Sequence, residues 1–201
     1  HRRAGGRGRR RARRGLPGAA GATGRCGRSR ARVVRRAWGC SGGGAAPQGR
    51  SGQSPAGATH LIKVAVEAAL GKRSHVSVFG TDYDTPDGTG VGDYIHVSDL
   101  AAAHVLALEA LIAQPTQSLT MNCGYGSGFS VFDVLDAVDR VTNMTLERHI
   151  EGRRAGDPPA LISDIRRIKA TLPWEPAYAD LNIIVEHALA WERKLSERSD
   201  A

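Results

Sequence analysis

Residues 87 to 99 read Asp-Gly-Thr-Gly-Val-Gly-Asp-Tyr-Ile-His-Val-Ser-Asp and run straight into the apolar-periodic segment Leu100 to Ile112. A polar glycine loop, a short strand and a capped helix in that order have the look of part of a ligand site. Two other glycine runs suggest phosphate chemistry at first sight. Gly21, Gly24 and Gly27 satisfy a G-x-x-G-x-x-G spacing, but Arg-Arg-Gly-Leu-Pro precedes them and Arg-Cys-Gly-Arg-Ser-Arg follows. A dinucleotide loop needs a strand before and a helix after, so that backbone N–H groups and the helix N-terminus face the pyrophosphate. The spacing there is one that a glycine-rich tract produces by chance. Gly124-Tyr-Gly-Ser-Gly128 also resembles a phosphate loop, but it turns the chain from a strand pattern into a helix pattern and takes the structural reading of a strand-to-helix turn. His96 and His104 have no Cys, Asp or third His at metal-ligand spacing, so packing or hydrogen bonding is the expected role and no metal is expected.

The elements that must position these residues do not begin at the first residue. Residues 1–50 contain 15 Arg, no Lys and no Asp or Glu, a formal +15. The remaining 151 residues hold 13 basic and 20 acidic residues, a formal −7, so the overall +8 and the basic pI belong to the N-terminal stretch. That stretch is built mostly from Arg, Gly, Ala, Ser and Pro without helical or strand periodicity. It has too little apolar surface to offset chain entropy, and disorder is expected. Its composition is that of a GC-rich gene read out of frame, which is the reading preferred here over a nucleic-acid-binding tail or an inert one. Arginine-rich tails bind phosphates, but Trp38 is the one aromatic available for base stacking, so nucleic acid is not the expected partner.

From Ser51 onward the pattern is α/β, with enough residues for a single core. The division is therefore 1–50 as the arginine-, glycine- and alanine-rich segment and 51–201 as the folded region. Thr59 precedes an amphipathic helix from Leu61 that stops at Gly71. Val76 to Phe79 reads as a strand, Gly80 to Gly92 as a loop and Tyr94 to Val97 as a second strand. Ser98 or Asp99 is expected to cap the next helix, which runs to Ala113 before Pro115. Ser118 to Cys123 is a third strand. Ser130 and Asp133 have capping-box spacing at the head of a further helix. Leu146 to Ile150 is a candidate fourth strand, Asp164 to Leu172 a short helix and Ala179 to Leu195 a final amphipathic one. Asp133, Asp136 and Asp139 have the spacing of a solvated helix face, and Trp174 and Trp191 are expected to pack the C-terminal part.

No run of 18 apolar residues occurs, so no membrane span is expected. Cys26, Cys40 and Cys123 have no paired or metal-ligand spacing, and no secretory signal is visible. A cytoplasmic, disulfide-free protein is the default.

Several stretches together carry a family resemblance. They are Phe79-Gly-Thr-Asp-Tyr83, Asp87-Gly-Thr-Gly-Val91, Asp93-Tyr-Ile-His-Val-Ser-Asp-Leu-Ala101 with His104, Met121-Asn-Cys-Gly-Tyr-Gly126 and Arg153-Arg-Ala-Gly-Asp157. In this order and spacing, Leu61 to Leu195 resembles the C-terminal part of the UDP-glucose 4-epimerases, within the extended short-chain dehydrogenase/reductase superfamily. The resemblance implies the C-terminal substrate-binding part of an NAD-dependent epimerase fold, lacking most of the Rossmann domain. It implies an isomerase that interconverts UDP-glucose and UDP-galactose in galactose metabolism, with tightly held NAD taking and returning hydride at C4 of the sugar.

By the same resemblance, Leu61, Ser77 and Phe79 match residues lining the uridine pocket, although Leu61 and Phe79 also read as core residues. Arg154 matches an arginine that grips the diphosphate, a task suited to a planar, permanently charged fork. Arg153 reads as a surface charge. Asp157 matches a position beside the ribose, and followed by Pro158 and Pro159 it reads equally as a turn former.

Two departures qualify this. The family's catalytic Tyr-x-x-x-Lys pair has no counterpart: Tyr83, Tyr94, Tyr125 and Tyr178 are followed four positions on by Asp87, Ser98, Phe129 and Asn182. With about 60 residues ahead of Leu61 there is no room for the dinucleotide-binding sheet, so no catalytic residue, no bound NAD and no turnover are expected of this chain. The family's homodimer interface is expected to be missing as well. The second departure is Gly92, where the family loop has an arginine that reaches the same diphosphate, and Asp84 adds a negative charge where the family commonly has proline. The partner implied is a UDP-sugar, weakened by Gly92. Two readings follow: an incomplete nucleotide-sugar epimerase, or a non-enzymatic binding protein for UDP-sugars or, through the arginine-rich tail, nucleic acid.

Overall fold

The computed structural model describes residues 30–34, 43–54 and 57–199. Helix α1 (Leu61–Ala69) starts after His60 and ends before Gly71, whose φ of +72° suits the left-handed turn that closes it. Strand β2 (Val76–Phe79) follows, alternating Val76 and Val78 into the core with Ser77 and Phe79 outward. Helix α2 (Val97–Ala113) stops at the turn containing Pro115, and β4 (Ser118–Asn122) follows it. The capping box at α3 (Val131–Thr142) is complete: Ser130 Oγ accepts from Asp133 N–H at 2.9 Å and the Asp133 carboxylate accepts from Ser130 N–H at 2.8 Å. Asn143, at φ +54°, ends that helix.

Strand β1 (Arg30–Val34) pairs in parallel with β4, Arg30 opposite Ser118 and Val34 opposite Asn122. A second parallel pair joins β2 to β6 (Arg148–Glu151), Val76 opposite Arg148 and Phe79 opposite Glu151. The third sheet has three two-residue strands, with β3 (Val91–Gly92) between β5 (Phe129–Ser130), antiparallel, and β7 (Ala160–Leu161), parallel. Helices α4 (Arg166–Thr171) and α5 (Leu181–Ser199) complete the order.

Two apolar clusters hold these elements. Ile62, Val78, Leu135, Val138, Ile184 and Val185 join α1, β2, α3 and α5. Ile95, Ala107, Met121, Ile168 and Trp174 join α2, β4 and α4. The Tyr125 ring packs against both, so one side chain on the turn after β4 bridges the clusters.

Several sequence expectations need correction. Within residues 1–50, Arg30–Val34 forms a paired strand, and Gly43 N–H donates to Ile95 O at 2.9 Å, so the expectation of disorder does not hold for residues 30–34 and 43–50. Residues 1–29 and 35–42, with Gly21, Gly24, Gly27 and Trp38, lie outside the described residues. Tyr94 to Val97 is not a strand: the segment is extended, His96 bridges to Gly43, and α2 already starts at Val97. Its cap is neither Ser98 nor Asp99 but His96, whose Nδ1 accepts from Ser98 N–H at 3.0 Å. Val91 and Gly92, expected in a loop, form β3 because segments 129–130 and 160–161 arrive from far along the chain to pair with them. Strand β6 starts two residues later than expected, and the aspartates of α3 are not a bare solvated face. Asp139 accepts from Leu146 N–H at 2.9 Å, and Asp136 pairs with Arg148 at 2.8 Å, tying α3 to β6.

Candidate functional site

The glycine loop and the helix after it are positioned by their own acidic residues. Asp87 accepts from Thr89 N–H and Oγ–H, both at 2.8 Å, and from the Ser130 hydroxyl. Burial alone would raise its carboxyl pKa, but the bonds from Ser130 and Thr89 outweigh burial and hold it below the ordinary value. Asp93 is fully buried and accepts backbone N–H groups from Tyr125 at 2.9 Å and from Gly126 and Ser163 at 3.2 Å. Asp99 accepts from Tyr125 Oη at 2.6 Å and from the N–H groups of Ala177 and Tyr178 at 2.9 Å. These carboxylates therefore join segments rather than meeting a ligand. Buried charges at helix and turn termini are expected to be satisfied in this way.

The same geometry settles the role of Gly124 to Gly128. A phosphate loop needs unengaged N–H groups, and here the Asp93 carboxylate takes those of Tyr125 and Gly126. A Cβ on Gly124 would lie 2.2 Å from Asp93 Oδ2, so glycine is required for the carboxylate to come this close. Tyr125 is kept protonated: burial, then its bond to Asp99, push its pKa far above the ordinary phenol value.

What remains of the loop faces a cavity of about 960 Å³. Gly90, Val91, Gly92 and Tyr94 form one wall, the start of α1 from Ala58 to Val64 a second, Arg73 to Phe79 a third, and Arg154 to Leu161 a fourth. Its size and mixed polar and apolar lining suit a small molecule of nucleotide dimensions. All five residues singled out from the sequence, Leu61, Ser77, Phe79, Arg154 and Asp157, line this one cavity, and Gly92 lines it with them.

Each reaches it for a local reason. Leu61 is the first residue of α1 and is half-buried, packing on the core while lining the cavity. Ser77 and Phe79 are on the outward register of β2, so the alternative reading of Phe79 as a core residue does not hold; the residue is 36% exposed. Arg154 lies over that ring, its Cζ 4.5 Å from the centroid, and its Nε donates to Asp157 Oδ2 at 2.9 Å. That bond uses one of five guanidinium N–H donors. Asp157 also closes a turn by donating its N–H to Arg154 O at 3.3 Å. Arg153 is more than a surface charge: its Nε donates to Asp82 Oδ1 at 2.7 Å and its Cζ lies 4.3 Å from the Tyr83 ring centroid.

Sequence reasoning missed His60, Arg73, His75, Tyr83 and Tyr94 as cavity residues. For His75 the signal was present, since it continues the outward alternation of Ser77 and Phe79. For the others, the neighbours come from distant segments, which local pattern does not report. Among the described residues no group of three or more His, Cys, Asp or Glu side chains is placed to hold a metal ion, and no helix is long and apolar enough to cross a membrane.

Residues 25–124 match the NAD dependent epimerase/dehydratase family, beginning inside the stretch that composition had set apart. A UDP-glucose 4-epimerase of Azospirillum brasilense is 52% identical over 154 residues, covering 77% of this chain and 44% of that protein. The chain belongs to the epimerase family. A crystal structure of UDP-glucose 4-epimerase from Bifidobacterium longum, in complex with NAD+ and UDP, superposes with a TM-score of 0.69 at 35% identity, covering 76% of this chain and 45% of that one. The enzyme from Stenotrophomonas maltophila, with bound NAD and formylated UDP-arabinopyranose, gives a TM-score of 0.74 at 36% identity over 78% of this chain and 46% of that one. This epimerase-family chain thus spans less than half the length of the relatives it matches, and it corresponds to their C-terminal portion.

Proposed function

We propose that the chain binds the UDP part of a nucleotide sugar in the 960 Å³ cavity. The observation that carries this is the convergence of Leu61, Ser77, Phe79, Arg154 and Asp157 on one cavity from three separated segments. The guanidinium of Arg154, oriented by Asp157 and held over the Phe79 ring, supplies donors for the diphosphate. The outward edge of β2 at Ser77 and the start of α1 at Leu61 supply the wall for the uridine. Gly92 makes this a weaker diphosphate site than an arginine there would.

For a complete protein of this family the reaction proposed is interconversion of UDP-glucose and UDP-galactose, with a place in galactose metabolism and the cytoplasm. Within these 201 residues no tyrosine is followed four positions later by lysine. That spacing sets a lysine one helical turn from the base and lowers its pKa, so proton abstraction has no agent here. NAD, which the family name implies, does not fit the glycine turn after β4, because Asp93 occupies its N–H groups and would repel a phosphate. No hydride step is assigned to these residues.

Titration calorimetry of the 201-residue chain with UDP, and with uridine as the control lacking phosphate, tests the reading. Binding of UDP that is stronger than that of uridine and is lost on Arg154→Ala supports it. Equal affinities, or no heat with either, would overturn it. Turnover of UDP-galactose by this chain alone would overturn the statement that it lacks a base.

A further inference from the structure

Helix α2 carries an apolar stripe that the fold itself does not use. Ala103, Ala107 and Leu111 turn into the core with β4 and α4. On another side of the same helix Ala101 is exposed, and Val105, Leu108 and Ile112 are 55%, 58% and 69% exposed. Single exposed apolar side chains are ordinary, but three large ones in one row over about two helical turns form a patch. With Ala101 they recur at intervals of four, three and four residues, the heptad spacing that lines one helix against another. Val105 and Ile112 take the a positions of that heptad, Ala101 and Leu108 the d positions. β-Branched residues at a with leucine at d favour two parallel helices.

The flanks of the stripe specify the partner. His104 takes the g position before Val105, and Glu109 the e position after Leu108. In a parallel pair of identical helices the g residue of one faces the following e residue of the other, so each His104 meets Glu109 of the second copy. His104 Nδ1 lies 2.7 Å from Leu100 O and donates to it, which leaves Nε2 for the partner. In the charged ring Nε2–H can donate to the Glu109 carboxylate of the second copy. A two-fold contact needs both members of each pair on one patch, and this stripe has them. It is shorter than two heptads, but α2 is already held helical by its packing on the core, so pairing carries no cost of forming the helix. The contact is small, and the association that follows is weak and reversible.

We infer that α2 is an interaction surface for a second copy of this chain, which docks parallel to it along Ala101, Val105, Leu108 and Ile112. The inference does not depend on the UDP-binding reading.

Sedimentation equilibrium of the 201-residue chain, from low to high micromolar concentration, is expected to show a reversible monomer–dimer equilibrium. Leu108→Glu places a charge inside the stripe of both copies and is expected to weaken the dimer about tenfold or more. Because Leu108 is exposed, the dilute, monomeric variant is expected to melt at the temperature of the parent. His104→Glu and Glu109→His are each expected to weaken the dimer, and the two together to restore it, since the opposite charges have only changed places. A chain that stays monomeric throughout overturns the inference, and so does a dimer indifferent to Leu108→Glu, which uses another surface. Failure of the double variant to regain what the single ones lose overturns it too. A lower melting temperature in dilute Leu108→Glu also overturns it, since the stripe then serves the chain's own fold.

Discussion

The Arg154 guanidinium lies 4.5 Å from the centre of the Phe79 ring, although 75 positions separate the two residues. The contact exists because β2 and β6 run parallel with Phe79 opposite Glu151, which delivers Arg154 to the end of β2 three residues later. Arg154 is 55% exposed at its side chain and its partner Asp157 is half-buried, so the pair is largely screened by solvent and contributes little to folding. Arg154→Lys is therefore expected to leave the melting temperature nearly unchanged. It is expected to weaken UDP binding by about ten- to a hundredfold, because an ammonium offers neither the fork nor the flat face. Calorimetry beside a thermal melt separates the two effects.

Gly92→Arg is expected to strengthen UDP binding. Gly92 is not one of the glycines with left-handed φ, so a side chain is compatible with its backbone, and it lines the cavity. A desolvated charge partner for the diphosphate is worth about 2–5 kcal/mol, which corresponds to roughly thirtyfold to several-thousandfold in affinity. The gain should shrink as salt is raised, and the absence of any gain in calorimetry would count against the pose.

Ser130→Ala removes the cap of α3 and the hydroxyl that donates to Asp87. The cap alone is worth about 1–2 kcal/mol. Urea unfolding is expected to show a lower midpoint with unchanged slope, and Ser130→Thr should recover most of it.

Acid should loosen the head of α2. His96 is fully buried, and burial first, then the neighbouring His187, lowers its pKa below the ordinary value of about 6.5. Its Nε2 lies 3.0 Å from His187 Nδ1, while Nδ1 accepts from Ser98, so the neutral ring is the form the fold requires. Below about pH 6.5 the unfolded chain binds a proton that the folded chain resists, so stability is lost as pH falls from there. Glu67 and Asp87, whose partners hold their carboxyls lower than usual, titrate in a more acidic range. Thermal melts between pH 7.5 and 5.5, with the His96 ring proton followed by NMR, should show a falling midpoint while that resonance stays neutral. A flat midpoint across this range would refute the assignment.

The long periodic segments were legible in the sequence. α1, β2, β4, α3 and α5 lie where apolar spacing and the Ser130–Asp133 box put them, because one local pattern decides each. The failures share a cause. β3 has two residues and owes its existence to partners at 129–130 and 160–161, and the cap of α2 is a histidine locked by residue 187. Neither signal is local. The Asp87 to Asp99 run has the residue types of a ligand site because glycine turns and carboxylates serve a fold's joints as readily as a substrate. Only contacts show that Asp87, Asp93 and Asp99 do the former. The five residues named from the resemblance line one cavity because the resemblance carried three-dimensional information that composition does not.

The pairing of β2 with β6 closes a loop of about seventy residues that contains α2 and α3. One strand brings Ser77 and Phe79 to the cavity and the other leads to Arg154 and Asp157. A ligand touching both strands would act as a clasp across this long-range seam. In hydrogen–deuterium exchange, the amides of residues 76–79 and 148–151 should therefore slow together when UDP is added, while those buried in α3 keep the rate they already had.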